Sequence, residues 1–295
     1  MVPRCVLVER PTEYEDLLAR HATREQVRFF LERRDRSLDE VEERHRSFGA
    51  ARALVLGAVP AQWRTAVVAR ADLDRFLFEP EDVVTVLGQD GLVANVAKYV
   101  DEQPVLGLNP DPERVAGVLV RHPPAAAADL LRDAAVGRVR TPGRTMAEAR
   151  LDDGQAVLAL NEVFLGHASH QSARYTLSVD GRGERQSSSG VIVATGTGAT
   201  GWAASINAAR GEPLALPGPG EPTLAFFVRE AWPSPTTATR ITAGIVTAER
   251  PLVITGELGD GGVVFGDGIE ADRVEILWGQ RVEVRPAARR LRLVE

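Results

Sequence analysis

Short, nearly continuous apolar runs alternate with charged helical segments in the first part of the chain. The runs that we predict to be strands are residues 4–8, 65–68, 83–87 and 104–108. Continuous apolar runs bounded by turn residues are typical of strands buried on both faces of a parallel sheet, because helices cover the two sides. The pattern therefore predicts an α/β domain with an open parallel sheet at the start of the chain.

The connection between the first two strands is longer than a parallel strand pair requires. Residues 14–52 are strongly charged and have apolar positions at helical spacing, so we interpret them as a helical insertion. Residues 53–56 (Ala-Leu-Val-Leu) are a further strand candidate. Short helices are predicted over residues 72–78 and 92–99.

The pattern changes after about residue 120. An Ala-rich helix is predicted over residues 123–135, and short strand-like segments separated by Gly and Asp turns follow it. These segments are residues 147–151, 156–161, 173–179, 190–195, 223–228, 252–255, 262–265, 274–278 and 281–284. Many short strands with such turns are typical of an antiparallel β-sandwich. We therefore predict an α/β domain over residues 1–120 and a β-rich domain over residues 121–295, whose C-terminal end could pack back on the first domain.

The composition excludes several classes of protein. The chain has 295 residues, and its net charge of −6 argues against binding nucleic acid by neutralising phosphates. The single cysteine, Cys5, cannot form an internal disulfide, which favours a reducing compartment. No apolar run approaches the roughly 20 residues that span a bilayer, and the N-terminal residues lack a secretory pattern. We therefore expect a cytoplasmic protein that binds neither nucleic acid nor membrane.

A turn with two glycines around a carboxylate follows the buried 83–87 strand. It reads Gly88-Gln89-Asp90-Gly91, and a helix is predicted after it. The sequence of strand, glycine turn and helix can present backbone N–H groups to a phosphate. Asn109 ends the next strand, so Asp90 and Asn109 are predicted at one sheet edge, where open α/β sheets bind ligands. For this stretch alone, an ordinary turn in which Asp90 caps the helix is the simpler explanation.

Two further stretches carry polar side chains at the ends of predicted strands. Asn161 and Glu162 end an apolar strand, and their amide and carboxylate suit ribose hydroxyls or an adenine edge. Residues 195–202 (Thr-Gly-Thr-Gly-Ala-Thr-Gly-Trp) form a loop whose glycines permit close backbone approach, and Trp202 could stack on a flat ring. Each stretch also has a purely structural explanation, as an exposed strand end or as a bulge followed by a helix cap.

The order of these stretches resembles the NAD kinase family. The Gly-x-Asp-Gly turn, the Leu-Asn-Glu strand end and the Thr-Gly-Thr-Gly-Ala-Thr loop look like its three signature motifs. The resemblance is to the mitochondrial branch in particular, through the long helical insertion, Trp202 where most members have a tyrosine, and the segments 109–114, 159–164, 188–190 and 229–230. It implies a two-domain fold, with an α/β N-terminal domain on a Rossmann-like open sheet and an all-β C-terminal sandwich.

The resemblance also implies an activity. NAD kinases transfer a phosphoryl group from ATP, or from polyphosphate, to the adenosine-ribose 2′-hydroxyl of NAD and so form NADP. Phosphoryl transfer of this kind would use Mg²⁺ bound with ATP. The resemblance further implies a dimer or tetramer built through the β-rich half, and of these we expect a homodimer. By position, Asp90 would be the catalytic carboxylate nearest the reacting hydroxyl. The residues that the resemblance assigns to substrate binding are Gly88, Gly91, Asn109, Asn161, Glu162, Ser189, Thr195, Thr197, Gly198, Thr200 and Trp202.

Two residues depart from the family's Gly-Gly-Asp-Gly-Thr motif. Gln89 puts a side chain where glycine lets a phosphate approach the backbone, and Leu92 removes a hydroxyl that could bind a phosphate oxygen. A non-catalytic NAD(P)-binding protein on the same scaffold is therefore a second interpretation, and a kinase for another small hydroxyl substrate is a third. His167 and His170 lack a third ligand nearby, so no dedicated protein metal site is predicted.

Overall fold

The apolar runs of the first part of the chain form a four-stranded parallel sheet in the computed structural model, which describes residues 2–295. Its strands are β1 (Arg4–Glu9), β2 (Arg64–Ala69), β3 (Asp82–Leu87) and β4 (Val105–Leu108), in the order β2-β1-β3-β4. Every residue of β3 is buried, and β1 and β4 pair with it in parallel. The predicted α/β domain is therefore confirmed.

Three helices lie between β1 and β2, one lies between β3 and β4, and one follows β4. They are α1 (Glu13–His21), α2 (Arg24–Glu32), α3 (Leu38–Ala58), α4 (Asp90–Ala97) and α5 (Ala127–Ala135). The charged stretch after β1 is helical, as predicted, but it divides into three helices because Thr23 and Ser37 begin new ones. No helix within residues 2–295 is long and apolar enough to cross a membrane.

The predicted strand over residues 53–56 was wrong, because these residues belong to α3. Ala51 and Val55 are buried four residues apart, whereas Leu54 is 57% exposed. That spacing is the period of a helix with one face on the sheet, and a run of four apolar residues does not by itself distinguish helix from strand. The helix predicted over residues 72–78 is also shorter than expected, since only a 3-10 turn, Arg70–Asp72, forms there.

The first compact unit extends to Pro142 and also includes Arg292–Glu295. It therefore contains α5, which the predicted boundary at residue 120 had assigned to the second domain. The physical reason is burial: Leu131 and Ala134 of α5 pack in one core with Val83 of β3 and Leu106 of β4. Leu293 forms a parallel bridge with Val105, which places the C-terminal end beside β4.

The second unit, Gly143–Leu291, is built from two six-stranded sheets. Its strands are β5 (Gly143–Leu151), β6 (Ala156–Ala159), β7 (Glu162–His167), β8 (Ala173–Val179), β9 (Arg182–Ser188), β10 (Val191–Ala194), β11 (Leu224–Val228), β12 (Ala243–Val246), β13 (Leu252–Gly256), β14 (Gly262–Gly266), β15 (Val274–Ile276) and β16 (Arg281–Arg292). The strand orders of the two sheets are β12-β11-β10-β7-β14-β15 and β6-β5-β16-β13-β8-β9. Antiparallel pairing, as between β7 and β10 or β8 and β13, and a shared apolar core confirm the predicted sandwich. A single helix, α6 (Trp202–Ala208), occurs in this unit among the described residues.

Candidate functional site

Asp90 binds the backbone of a neighbouring loop. It is the first residue of α4, whose N-cap position is Gln89, so the expected capping role of Asp90 is not what the structure shows. Its Oδ2 accepts the N–H of Val118 at 3.0 Å, and its Oδ1 accepts those of Leu119 at 2.8 Å and Val120 at 3.1 Å. A carboxylate has about four acceptor sites. The loop uses three of them, which leaves room for one further donor.

Arg10 lies beside the glycine turn, although the sequence analysis did not select it. It follows the end of β1, and the parallel pairing of β1 with β3 brings the two strand ends together. Its Nη2 donates to Oε1 of Gln89 at 2.8 Å. The position directly after a strand next to the 83–87 strand is the signal that could have found it. The glycine turn therefore has a cation beside it.

The other residues of the glycine turn differ in how closely their surroundings are packed. Leu92 is buried, and a Cβ on Gly88 would lie 3.2 Å from its side chain. A Cβ on Gly91 would meet nothing within 4 Å, so packing does not require glycine there. Leu92 therefore replaces the hydroxyl of the family motif with a contact to the interior.

Asn109 lies at the same sheet edge as the glycine turn, as predicted, because Leu108 of β4 pairs with Leu87 of β3. Its amide is already used within its own loop. Nδ2 donates to the carbonyl of Val115 at 2.7 Å, and Oδ1 accepts the N–H of Asp111 at 3.0 Å. Asn109 is also 4% exposed, so its evident role is to shape the loop after β4.

In the second unit, Asp267 holds the strand end that carries Asn161 and Glu162. Its Oδ2 accepts the N–H of Leu160 at 3.0 Å and its Oδ1 that of Asn161 at 2.7 Å, while its own N–H donates to the carbonyl of Glu162 at 2.9 Å. Asp267 adopts a φ of +57°, which aspartate tolerates better than most residues. Its Gly-Asp-Gly setting after a strand resembles that of Asp90, and this is the signal in the sequence that could have found it.

The Glu162 carboxyl is electrostatically perturbed. Burial, and secondly the negative charge of Asp267, raise the pKa of Glu162 to about 7. Both effects disfavour the ionised form, because the charge loses hydration and faces a like charge. A half-buried carboxyl with a raised pKa in a polar cluster is a candidate functional group.

Thr195 fixes the Thr-Gly loop on this strand end. Its hydroxyl donates to the carbonyl of Leu160 at 2.5 Å and accepts the N–H groups of Thr197 at 3.1 Å and Gly198 at 3.2 Å. A Cβ on Gly198 would lie 2.2 Å from the carbonyl oxygen of Asn161, so only glycine fits that close approach. Asn161, Thr195 and Gly198 are thus brought together, and Thr195 is fully buried by this role.

The Thr197 hydroxyl and the Trp202 ring belong to the same loop but have different surroundings. The Thr197 hydroxyl is buried and has no hydrogen-bond partner within residues 2–295, whereas Thr200 donates to the Thr197 carbonyl at 3.1 Å. The Trp202 ring stacks on Phe164, with centroids 6.1 Å apart and planes inclined by 12°. The Arg229 guanidinium lies 4.9 Å from the Trp202 centroid, within cation–π range. Trp202 is therefore an oriented aromatic side chain that remains 39% exposed.

Ser189 is exposed on a turn held by buried polar groups. The preceding Ser188 is fully buried; its Oγ accepts the N–H of Gly190 at 3.0 Å and lies 2.7 Å from the Tyr175 hydroxyl. Gly190 has a φ of +119°, and a Cβ there would lie 2.7 Å from the Phe164 ring. Phe164 consequently touches both the Ser189 turn and Trp202.

No protein-family model matches the chain. It is 30% identical to the rat mitochondrial NAD kinase 2 over 48% of this chain and 44% of that protein. It is 33% identical to the NAD kinase of Psychrobacter arcticus over 42% of this chain and 40% of that protein. The chain thus spans less than half the length of these curated relatives. The yeast NADH kinase complexed with NADH superposes with a TM-score of 0.60 at 15% identity, covering 100% of this chain and 84% of that chain.

The chain resembles the NAD kinases. The resemblance predicted from the sequence is confirmed by the curated matches, which include mitochondrial and bacterial proteins. The predicted two-domain NAD kinase-like fold is confirmed by the structural match, which shows the fold alone because the identity is low.

The stability of the protein should depend on pH through Glu162. The folded protein keeps a proton on Glu162 up to about pH 7, whereas the unfolded chain releases it near the ordinary glutamate pKa of about 4.3. The free energy of unfolding should therefore fall as pH rises between these values. Glu162→Gln should flatten this part of the dependence in urea unfolding at about pH 5 and about pH 8. Glu275→Gln, an exposed β15 residue, is the matched control, and equal slopes in both variants would contradict the assignment.

Asp90→Asn should destabilise the fold. Both carboxylate oxygens accept N–H groups, so an amide nitrogen would face at least one backbone donor. An Asn whose Oδ1 keeps the N–H groups of Leu119 and Val120 would turn its amide nitrogen towards the exposed N–H of Val118, so one hydrogen bond is lost and the other two lose their charge assistance. Hydrogen bonds to charged groups are worth about 1.5–3 kcal/mol and neutral ones about 0.5–1.5 kcal/mol, so we expect the free energy of unfolding to fall by about 1–2 kcal/mol. Asp74→Asn, at an exposed site, should change it little. Unchanged stability of Asp90→Asn in denaturant unfolding would show that the loop does not depend on this carboxylate.

Proposed function

We propose that the protein is an NAD kinase-type phosphotransferase that converts NAD to NADP with ATP or polyphosphate as the donor. The observation that carries the proposal is the fixed strand end of the second unit. There, Glu162 stands beside Asn161 and the Thr195–Gly198 loop, with its backbone held by Asp267. A carboxylate accepts two hydroxyl donors at once, which suits a ribose diol. The names of the sequence relatives agree with this substrate class.

Asp90 supplies the second element of the proposal. Phosphoryl transfer needs mainly positioning and charge stabilisation, together with a group that orients or deprotonates the attacking hydroxyl. The remaining acceptor site of Asp90 could take the proton of the ribose hydroxyl, a role that typically contributes about 10²–10⁴-fold. The backbone contacts to residues 118–120 would keep the carboxylate in a fixed orientation.

Mg²⁺ would enter as part of the ATP complex. Within residues 2–295 no group of three or more His, Cys, Asp or Glu side chains could hold a metal ion. Magnesium commonly keeps several waters and binds through substrate phosphates with one or two carboxylates, so it does not need such a group.

A non-catalytic NAD(P)-binding protein is the alternative, and a specific observation favours it. Gln89 and Leu92 remove features of the family's phosphate turn, and Leu92 is committed to the interior. The Glu162 cluster does not depend on that turn. Such a protein would bind NAD without phosphorylating it.

The deciding experiment is a coupled assay for NADP formation from NAD at about pH 8, where Glu162 is ionised. We expect turnover with Mg-ATP or polyphosphate. Glu162→Gln should raise the KM and Kd for NAD at least about tenfold, because charge-assisted hydrogen bonds to the ribose would be lost. Glu275→Gln should leave both unchanged. NAD binding without NADP formation would establish the non-catalytic alternative, and no NAD binding by calorimetry at millimolar ligand would overturn both.

We also propose that the protein is a homodimer assembled through the β-rich unit. Leu277 and Trp278, in the turn between β15 and β16, are 57% and 65% exposed and form an apolar surface. Light scattering at micromolar protein should give twice the chain mass, and Trp278→Ser should shift it towards the monomer. Leu77→Ser, 81% exposed in the first unit, is the control. A wild-type monomer would contradict the proposal.

A further inference from the structure

An open cavity of about 450 Å³ lies on the helical insertion, between the C-terminal ends of α1 and α2. Its lining comes from the last turn of α1, from α2 and from residues directly after α2, all within the first unit. We call six of these residues the arginine–phenylalanine surface: Arg20, His21, Phe29, Phe30, Arg33 and Arg34. The proposed phosphotransferase function uses none of them, so the surface needs an explanation of its own.

The exposed ring of Phe29 is not explained by the packing of α2. Phe29 is 60% exposed, whereas Val27 and Leu31, four residues apart, are fully buried in the core of the insertion. Phe30 packs against that core, and Phe29 does not belong to it. Aromatic residues and arginine are enriched at the centres of protein–protein interfaces. A phenylalanine that stays exposed among arginines therefore indicates a surface for a partner.

The arginines of the surface have no carboxylate partner. None of them forms an ion pair within residues 2–295. Elsewhere in the insertion, by contrast, Arg24 pairs with Glu42 at 2.6 Å and Arg36 pairs with Glu13 at 2.6 Å. The net charge of the protein is −6, so this surface is opposite in sign to the protein as a whole. Uncompensated charge on one surface attracts a partner of the opposite charge. The surface is therefore suited to an anionic partner.

Two of the three guanidinium groups are oriented by aromatic rings. The Cζ atom of Arg33 lies 5.5 Å from the ring centroid of Phe29, and that of Arg34 lies 3.8 Å from the ring centroid of Phe30. Nη1 of Arg34 also donates to the carbonyl of Phe30 at 3.0 Å. A guanidinium stacked on a ring can still bind a carboxylate through the N–H groups at its edge. Orientation before binding lowers the entropy that is lost when a partner binds.

The lining also contains a polar atom that the protein leaves unsatisfied. Nε2 of His21 is buried and has no hydrogen-bond partner within residues 2–295. The ring of His21 lies against that of Phe30, with centroids 4.3 Å apart. Buried polar atoms without a partner are uncommon in folded proteins. A polar group of a partner that enters the cavity would supply the missing hydrogen bond.

Carboxylates around the surface favour a short acidic polypeptide over an extended polyanion. Glu25, Glu32 and Asp35 are exposed on α2 and shortly after it. A membrane surface or a nucleic-acid duplex carries negative charge over a wide area, so it would face these carboxylates as well as the arginines. A polypeptide segment can place single carboxylates at the arginines and one apolar side chain against Phe29.

We propose that the arginine–phenylalanine surface docks an acidic segment of a partner protein. The segment gives carboxylates to Arg20, Arg33 and Arg34 and an aromatic or aliphatic side chain to the exposed ring of Phe29. The proposal does not depend on the phosphotransferase function. It gives the helical insertion a binding role, because α1 and α2 form the surface together.

The test is fluorescence anisotropy with the full chain and a labelled random copolymer of glutamate and tyrosine, in which glutamate predominates. Wild type should bind the copolymer, and binding should weaken as salt rises, because exposed ion pairs are screened. Arg20→Ala combined with Arg33→Ala should raise the Kd at least about tenfold, since charge-assisted hydrogen bonds are lost at both positions. Neither side chain makes a hydrogen bond within residues 2–295, so this double variant should fold, which thermal melting checks.

Two controls separate specific docking from a general effect of charge. Arg28→Ala combined with Arg75→Ala removes the same charge at exposed positions of the first unit that do not line the cavity. This control should keep the Kd within about twofold of wild type, because distant exposed charges are screened. Phe29→Ala should raise the Kd for the copolymer at least about threefold, since an apolar contact is lost. It should leave the Kd for poly-glutamate unchanged.

No binding of the copolymer by wild type, or an equal loss in both double variants, would overturn the docking surface. Vesicles of equal parts phosphatidylcholine and phosphatidylserine, or duplex DNA, are the competing probes. If either binds more tightly than the copolymer and depends on Arg20 and Arg33, the acidic polypeptide is the wrong partner. A wild-type oligomer that Arg20→Ala with Arg33→Ala dissociates in light scattering would identify a second copy of this chain as the occupant and would also overturn the proposal. NADP formation should be equal in wild type and in all these variants, so a loss of docking leaves the proposed function standing.

Discussion

In each unit, one aspartate accepts hydrogen bonds from consecutive backbone N–H groups, and these bonds fix the backbone around the candidate site residues. Asp90 binds the N–H groups of residues 118–120, and Asp267 binds those of residues 160 and 161. Each contact fixes a loop or strand end that no helix or sheet ladder holds at that point. Hydrogen bonds to an ionised acceptor are stronger than neutral ones, so a single side chain is enough for this role. The site geometry therefore rests on charge as well as on packing.

This construction has an electrostatic consequence in the second unit. Asp267 is close enough to Glu162 to oppose its ionisation, and burial opposes it further, so the pKa of Glu162 rises to about 7. The residue that positions the strand end thus also sets the charge of the neighbouring carboxyl. A ligand that donates hydroxyl hydrogen bonds to Glu162 would favour its ionised form, because such bonds compensate for lost hydration. Binding of such a ligand and proton release from Glu162 should consequently be coupled.

The sequence predicted the strands of the parallel sheet and the sandwich, because their apolar runs are bounded by clear turn residues. It could not distinguish residues 53–56 from a strand, since the periodicity of α3 appears only over a longer window. Arg10 and Asp267 were missed for another reason. Their roles depend on which strands are neighbours. The pattern of residues within one strand does not predict that β1 pairs with β3, or that β7 pairs with β14. Thr195 was predicted to bind substrate, yet its buried hydroxyl donates to the carbonyl of Leu160 and so fixes the loop.

Gln89 and Leu92, the two residues that depart from the family motif, both make contacts in the folded protein. Leu92 is buried beside Gly88, so a smaller polar side chain there would leave a void as well as a hydroxyl. Gln89 has a partner in Arg10, which follows a different strand. Because the replacements are coupled to their surroundings, restoring glycine and threonine singly would disturb the turn. Each replacement therefore has a place in the folded protein, Gln89 in a hydrogen bond to Arg10 and Leu92 in the interior.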